Sequence, residues 1–154
     1  MAPKQIVILY IDDETNNLIA FKANFRRDYE IHTAETTNEA LDILKKTKVH
    51  IIITDQRMPG KNGVEFLQEI IPEFPDPIRI LLTGYSDIQV VIDAINKGQV
   101  FRYVSKPFSD VEIKMAIDNA MEVYNLREEN RELLKKLSIA NEQLEFMIRQ
   151  KLLS

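Results

Sequence analysis

Four short, mostly apolar runs, in which hydrophobic side chains follow one another instead of alternating, most constrain the fold. They cover residues 6–11, 51–53, 78–82 and 100–104. Strands with this pattern are usually covered on both faces, as in a parallel sheet, so each run predicts a buried strand. Residues 29–33 form a weaker candidate strand that fits between the first two runs.

The segments between these runs carry apolar residues every three to four positions, which predicts amphipathic helices. Three hydroxyl residues are followed three positions later by an acid or amide that can complete a capping box: Thr36 with Glu39, Ser86 with Gln89, and Ser109 with Glu112. Gly98 is a predicted helix end. Five strand–helix repeats with right-handed crossovers predict a doubly wound α/β fold with a five-stranded parallel sheet.

Beyond Ser109 the sequence predicts one long C-terminal helix, because neither Gly nor Pro interrupts it up to the last residue. Its heptad core positions hold Val123, Asn130, Leu137, Leu144 and Lys151, and Leu126, Leu133, Ala140, Met147 and Ser154. At a core position, Asn130 favours a fixed register and a two-stranded coiled coil. Glu122 and Arg127 can form ion pairs between the helices of a parallel dimer. We predict a coiled-coil homodimer through residues 123–154, with an amphipathic helix packed on its own domain as the alternative.

Composition limits the classes of function. The 154 residues include 20 basic and 24 acidic side chains and no cysteine, which excludes a disulfide scaffold and a thiolate metal site. Because the net charge is −4, the chain as a whole does not attract nucleic acid or anionic membranes electrostatically. We therefore expect neither as a direct partner. The chain has only two histidines, His32 and His50, which argues against a histidine-rich metal site, and we assign neither a role. The apolar run near the start is too short to span a membrane, so we expect a cytoplasmic protein.

Polar residues follow the predicted strands at their carboxyl ends, where ligands bind in doubly wound sheets. They are Asp12 and Asp13 after the first strand, Asp55 after the third, Thr83 after the fourth and Lys106 after the fifth. If the first and third strands are neighbours, as in the flavodoxin-like order 2-1-3-4-5, three carboxylates meet there and require a cation. An oxygen-only site suits Mg²⁺, with Mn²⁺ as an alternative.

Such a site supports phosphoryl transfer. A carboxylate beside Mg²⁺ can attack phosphorus and form an acyl phosphate, while an ammonium and a hydroxyl bind the phosphoryl oxygens. Asp55 is the best candidate nucleophile because it lies where a buried strand gives way to a loop. Asp12 and Asp13 are better placed as metal ligands.

These residues resemble those of a known family, the CheY-like receiver domain of bacterial two-component response regulators. The resemblance covers roughly residues 4–122 and rests on four motifs in the same order: Asp12-Asp13, Asp55-Gln56-Arg57-Met58-Pro59-Gly60, Thr83-Gly84 and Tyr103-Val104-Ser105-Lys106-Pro107. It implies a receiver domain over residues 1–122 and a helical extension over residues 123–154. An output module is absent from these 154 residues or truncated, and whether the chain continues is left open.

The resemblance also implies roles for individual residues. Asp55 would accept a phosphoryl group from a sensor histidine kinase or a phosphotransfer protein, and Lys106 would contact that group. Asp12, Asp13 and the backbone carbonyl of Arg57 would bind Mg²⁺ together with Asp55. The protein would then be a switch that catalyses only its own phosphorylation and dephosphorylation, without turnover of a substrate.

Thr83 and Tyr103 match the family's switch pair, in which the hydroxyl turns toward the phosphoryl group and the ring moves inward. The bond between Lys106 and Pro107 is expected to be cis, as in the family. Arg57 and Tyr85 are bulky where the family's attacking water passes, so we predict slow autodephosphorylation.

Two other functions stay open at this point. One is a Mg²⁺-dependent phosphohydrolase with an Asp nucleophile, in which Asp12 attacks and Glu14 is the second acid, as in the haloacid dehalogenase family. The other is a dimeric scaffold whose acidic pocket is vestigial. Turnover of p-nitrophenyl phosphate distinguishes the first from a switch, and phosphorylation by acetyl phosphate distinguishes the second.

Overall fold

The computed structural model describes residues 5–154 of the chain. Its elements are β1 (Val7–Ile11), α1 (Thr15–Phe25), β2 (Glu30–Ala34), α2 (Thr37–Lys46), β3 (Ile51–Asp55), α3 (Gly63–Ile70), β4 (Ile78–Thr83), a 3-10 turn (Tyr85–Asp87), α4 (Ile88–Asn96), β5 (Arg102–Ser105) and α5 (Asp110–Leu153). Among these residues, no helix combines the length and the apolar character that crossing a membrane requires.

The five strands form one parallel sheet in the order β2-β1-β3-β4-β5, which confirms the predicted doubly wound fold and its strand order. The fifth strand begins at Arg102, two residues later than predicted. Val100 is buried but precedes the ladder, and the Phe101 amide makes a first bond to the carbonyl of Arg79. Burial therefore begins before strand pairing. For this reason the apolar run starts two residues before the paired strand, and the strand start predicted from it was too early.

The sheet separates two hydrophobic layers. Ile8 and Tyr10 of β1 face the layer formed with α1 and the first part of α5, whereas Leu9 and Ile11 face the layer formed with α2, α3 and α4. Successive strand residues point to opposite faces, so covering both faces requires the consecutive apolar residues seen in the sequence. Arg79 is the charged residue of β4, and its guanidinium donates to backbone carbonyls, among them that of Gln99 at 2.8 Å.

Two of the three predicted capping boxes lie at helix starts. The Thr36 hydroxyl accepts a bond from the Glu39 amide at 3.1 Å, and the Ser109 hydroxyl accepts one from the Glu112 amide at 3.2 Å. Gly98 ends α4 in the left-handed region with φ +75°, as its predicted role requires.

The third predicted box, Ser86 with Gln89, is wrong. A 3-10 turn occupies Tyr85–Asp87, and α4 begins at Ile88. The Ser86 hydroxyl accepts a bond from the Arg57 guanidinium at 2.6 Å, so it is engaged outside the helix. A tertiary contact has replaced the local cap.

The long C-terminal helix is present as predicted and belongs to two compact units, which divide between Tyr124 and Asn125. In the first unit, Ile113, Ile117 and Met121 of α5 are buried in the core. In the second unit, every residue from position 129 onward is exposed. The predicted domain boundary between residues 122 and 123 stays a prediction.

Gly63 provides a test of packing beside the third strand. A Cβ atom at this position would lie 2.6 Å from the carbonyl oxygen of Asp55 and 2.7 Å from Leu81 Cδ2. We therefore expect Gly63→Ala to lower the free energy of unfolding by about 1–3 kcal/mol, the usual cost of overpacking a core. Urea titration followed by circular dichroism measures the change.

The matched control is Gly84→Ala. No described atom lies within 4 Å of a Cβ atom placed there, and its φ of −91° suits any residue. We expect this control to change stability by less than about 0.5 kcal/mol. Equal losses from both substitutions would contradict the packing argument.

Candidate functional site

The carboxyl ends of β1, β3, β4 and β5 bring the predicted site residues to one edge of the sheet. One carboxylate oxygen from each of Asp12, Asp13 and Asp55 lies within 4.8 Å of the others. The Lys106 ammonium lies 2.6 Å from Asp55 Oδ1. The structure therefore groups three acids and one base, with Asp12 and Asp55 buried and Asp13 exposed.

Asp12 is held in place by three donors. Its Oδ2 accepts bonds from the Tyr10 hydroxyl and the Asn17 amide, both at 3.0 Å, and its Oδ1 accepts one from the Glu14 backbone at 3.0 Å. Neither Tyr10 nor Asn17 was predicted to belong to the site. Tyr10 lies two residues before Asp12, and the two-residue period of a strand is the sequence signal that could have identified it.

The pKa of the Asp55 carboxyl group is raised, because burial outweighs the effect of Lys106. Burial raises the pKa of its carboxyl group, the bond and charge of Lys106 lower that pKa, and the charges of Asp12 and Asp13 raise it again. Burial and then Asp12 also raise the pKa of Tyr10. With one ammonium facing three carboxylates, the site has excess negative charge that favours a cation.

The donor set fits a hard divalent cation. Three carboxylate oxygens from two separate strand ends suit Mg²⁺, which is usually held by a few carboxylates and several waters. The exposed position of Asp13 leaves room for water beside the buried Asp12 and Asp55. The assignment of the Arg57 carbonyl as a further ligand stays a prediction.

Thr83 and Tyr103 lie on neighbouring strands and point to the same face of the sheet, since Thr83 pairs with Ser105 and Tyr103 pairs with Leu81 in the register. The Thr83 side chain is buried, and its hydroxyl donates to the carbonyl of Gly84 at 3.2 Å. Tyr103 is partly buried against the layer under α4. Their predicted switch role requires both to move from these positions.

Arg57 connects the loop after β3 to the turn after β4. Its Nε donates to Asp87 Oδ2 at 2.8 Å and its Nη2 donates to the Ser86 hydroxyl at 2.6 Å. The bond and charge of Asp87 raise the pKa of Arg57. Tyr85 was named with Arg57 in the prediction of slow autodephosphorylation, and its side chain lies outside the described part of the structure.

Gln56 and Pro107 complete the loops around the site. The buried side chain of Gln56, which was not predicted, accepts a bond from the Val64 amide at 2.9 Å and so anchors the start of α3 next to Asp55. The bond between Lys106 and Pro107 is cis, as expected from the resemblance.

This geometry agrees with the comparisons with known proteins. The family described as "Response regulator receiver domain" matches residues 8–118. The chain belongs to this family. Receiver domains act in two-component phosphorelay signalling, generally without enzymatic turnover of a separate substrate, and they bind Mg²⁺ in an acidic pocket.

Curated relatives of this receiver domain are transcriptional regulators. The hydrogenase transcriptional regulatory protein HoxA from Cupriavidus necator is 32% identical over 127 residues, and the regulatory protein AtoC from Escherichia coli is 29% identical over 132 residues. The matches cover 82% and 85% of this chain but only 26% and 28% of those proteins. The chain thus spans about a quarter of the length of these relatives.

Solved structures share the fold at higher coverage. An adenylate cyclase structure from Rhodopirellula baltica is 38% identical with a TM-score of 0.83, over 86% of this chain and 98% of that one. The signal receiver domain of an HD domain-containing protein from Pseudomonas fluorescens is 30% identical with a TM-score of 0.76, over 84% and 96% of the two chains.

Removing Asp13 tests the cation site of the receiver. We expect Mg²⁺ at 100 times its Kd to stabilise the wild-type protein by about 2.7 kcal/mol relative to EDTA, and Asp13→Asn to lose most of that gain. In EDTA the variant should be at least as stable as wild type, because one of three repelling charges is gone. Thermal unfolding with and without Mg²⁺ measures both effects.

Asp42→Asn is the matched control, since Asp42 is an exposed acid on α2. It should keep the full Mg²⁺-dependent gain. Retention of the full gain by Asp13→Asn would show that Asp13 is not a ligand.

Proposed function

We propose that Asp55 accepts a phosphoryl group from the phosphohistidine of a sensor histidine kinase or a phosphotransfer protein, in a Mg²⁺-dependent reaction. The observation that carries this proposal is the Asp55 carboxylate, 2.6 Å from the Lys106 ammonium and grouped with Asp12 and Asp13. A buried carboxylate at a strand end, facing a cationic donor, is arranged to receive phosphorus and to hold the charge that develops on its oxygens.

In the transfer step, a carboxylate oxygen of Asp55 forms a bond to phosphorus as the phosphorus–nitrogen bond of the donor breaks. The histidine nitrogen leaves with the bonding electron pair, and with a proton on the other ring nitrogen of the donor the product is neutral imidazole. Lys106 binds a phosphoryl oxygen, and Asp12 and Asp13 would hold Mg²⁺ beside it. The bound cation supplies positive charge that neutralises the phosphoryl oxygens.

The switch follows from the charge of the product. A phosphoryl group on Asp55 carries close to two negative charges and three strong acceptor oxygens. The Thr83 hydroxyl, now bonded to the neutral carbonyl of Gly84, gains a stronger charge-assisted bond by turning to the phosphoryl group. Tyr103 then moves into the space that Thr83 leaves. This shifts the equilibrium between two conformations of the surface next to α4 and β5.

Residues 123–154 supply the proposed dimer. The seam residues Leu126, Leu133, Leu137, Leu144 and Met147 are all exposed in the chain on its own. Burying such a stripe against a second copy is the usual reason for a heptad pattern, and Asn130 on the same stripe favours a parallel pair. We propose that this coil transmits the state of Asp55 to an output module, as the transcriptional regulator relatives suggest.

The phosphorylation step is tested with acetyl phosphate and Mg²⁺ followed by intact mass spectrometry. We expect the wild-type protein to gain the mass of one phosphoryl group and Asp55→Ala to gain none. Asp42→Ala, which removes an exposed acid of the same size, should still be phosphorylated. An unmodified wild-type protein would favour a scaffold with a vestigial pocket, and turnover of p-nitrophenyl phosphate would favour a phosphohydrolase.

Slow autodephosphorylation is tested at Arg57. Arg57 lies in the loop immediately after Asp55, at the position that borders the route of the attacking water in the family, so we expect Arg57→Ala to release phosphate roughly tenfold faster, equivalent to about 1.4 kcal/mol in the barrier. Lys61→Ala, in the same loop but paired with Glu69, should leave the rate unchanged. Loss of the phosphoryl group from the wild-type protein within seconds would contradict the prediction.

A further inference from the structure

The start of α4 lacks the side-chain caps that its sequence offers. Ser86 and Gln89 form a complete capping-box pair, and Asp87 is also a favoured capping residue. Within the described residues, however, Asp87 makes no side-chain capping bond at this boundary, and the chain ahead of Ile88 forms a 3-10 turn. The usual means of starting a helix is therefore present in the sequence and unused.

The capping groups are unused because Arg57 binds them. Its guanidinium donates to the Ser86 hydroxyl at 2.6 Å and to the Asp87 carboxylate at 2.8 Å. One side chain from the loop after β3 thus contacts both residues that could cap α4, at the Ser86 hydroxyl and at one carboxylate oxygen of Asp87. Gln89, the other half of the box, donates to Asp93 at 3.1 Å instead.

The two arrangements are closely balanced in free energy. Exposed ion pairs contribute little because water screens them, and the Arg57 side chain is largely exposed. A hydroxyl cap at a helix N-terminus contributes an amount of the same order, about 1 kcal/mol. Loss of the Arg57 contacts is therefore sufficient to favour a helix that begins one residue earlier, at Asp87, with Ser86 as its cap.

We propose that Arg57 is a positioning residue that selects between two starts of α4. While Arg57 binds Ser86 and Asp87, the turn after Thr83 stays uncapped; when Arg57 leaves, Ser86 and Gln89 form their capping box and α4 lengthens. This changes the backbone three residues after Thr83, the residue whose hydroxyl is bonded to Gly84.

A phosphoryl group on Asp55 is the natural competitor for Arg57, and this step rests on the proposed function. Arg57 lies two residues after Asp55, and a phosphoryl dianion offers its planar fork a stronger partner than the single carboxylate of Asp87. Phosphorylation would then release the capping residues at the same time as it recruits Thr83. Both events would rearrange the loop after β4 and favour its phosphorylated conformation.

The experiment is residue-resolved NMR of the full chain, with amide hydrogen exchange, on wild type and Arg57→Ala. We expect the variant to show helical carbon shifts from Asp87 onward and about fivefold slower exchange of the Gln89 amide, the factor that corresponds to a cap of about 1 kcal/mol. Asp87→Asn should give a smaller change in the same direction. Ser86→Ala in the Arg57→Ala background should abolish the protection.

Three outcomes would overturn the inference or its competition step. Unchanged shifts over residues 85–89 in Arg57→Ala would show that Arg57 does not select the helix start, as would an equal change in the control Lys61→Ala. Wild-type protein phosphorylated at Asp55 by acetyl phosphate should reproduce the Arg57→Ala shifts, and their absence in protein of confirmed phosphorylated mass would overturn the competition step. A failure of phosphorylation itself appears separately in the mass spectrum and contradicts the proposed function, while the Arg57→Ala comparison still decides the selection of the helix start.

Discussion

Repulsion among three carboxylates at one edge of the sheet is the constraint on which the functional part of this structure depends. Asp12, Asp13 and Asp55 come from two neighbouring strands, and the single ammonium of Lys106 offsets only part of their charge. Such a cluster persists in a folded protein because hydrophobic burial elsewhere stabilises it, and a bound cation would reduce its excess negative charge. Low intrinsic stability at the site is therefore part of its capacity to respond.

Two loops at the same edge of the sheet would respond to a change of charge at Asp55. The loop after β3 carries Asp55 and Arg57, and the loop after β4 carries Thr83, Ser86 and the start of α4. Both loops follow strands that are rigid because both of their faces are covered, so a change in hydrogen bonding at the site is expressed in the loops and not in the sheet. In the proposed function, a local electrostatic event at Asp55 would displace the surface that these two loops form.

The fold could be predicted because its signals are local and repeated. Consecutive apolar residues, caps such as Thr36 and Ser109, and the uninterrupted C-terminal helix each depend on neighbours in the chain. The contents of the site could also be predicted in outline, since strand ends in a parallel sheet meet at one edge. The predicted cap at Ser86 was wrong because a distant contact prevailed, with Ser86 bound to Arg57, and the predicted start of β5 was too early because burial begins before strand pairing.

The sequence by itself determined the sheet, its order and the acidic side chains at its edge, because periodicity and strand ends follow from covalent connection and burial. Only the tertiary structure decided how those side chains are held. That Tyr10 and Asn17 orient Asp12, that Gln56 anchors the start of α3, and that Arg57 occupies two capping groups are choices between nearly equal hydrogen-bond partners. Such choices depend on distances between residues far apart in the chain, which no local pattern encodes.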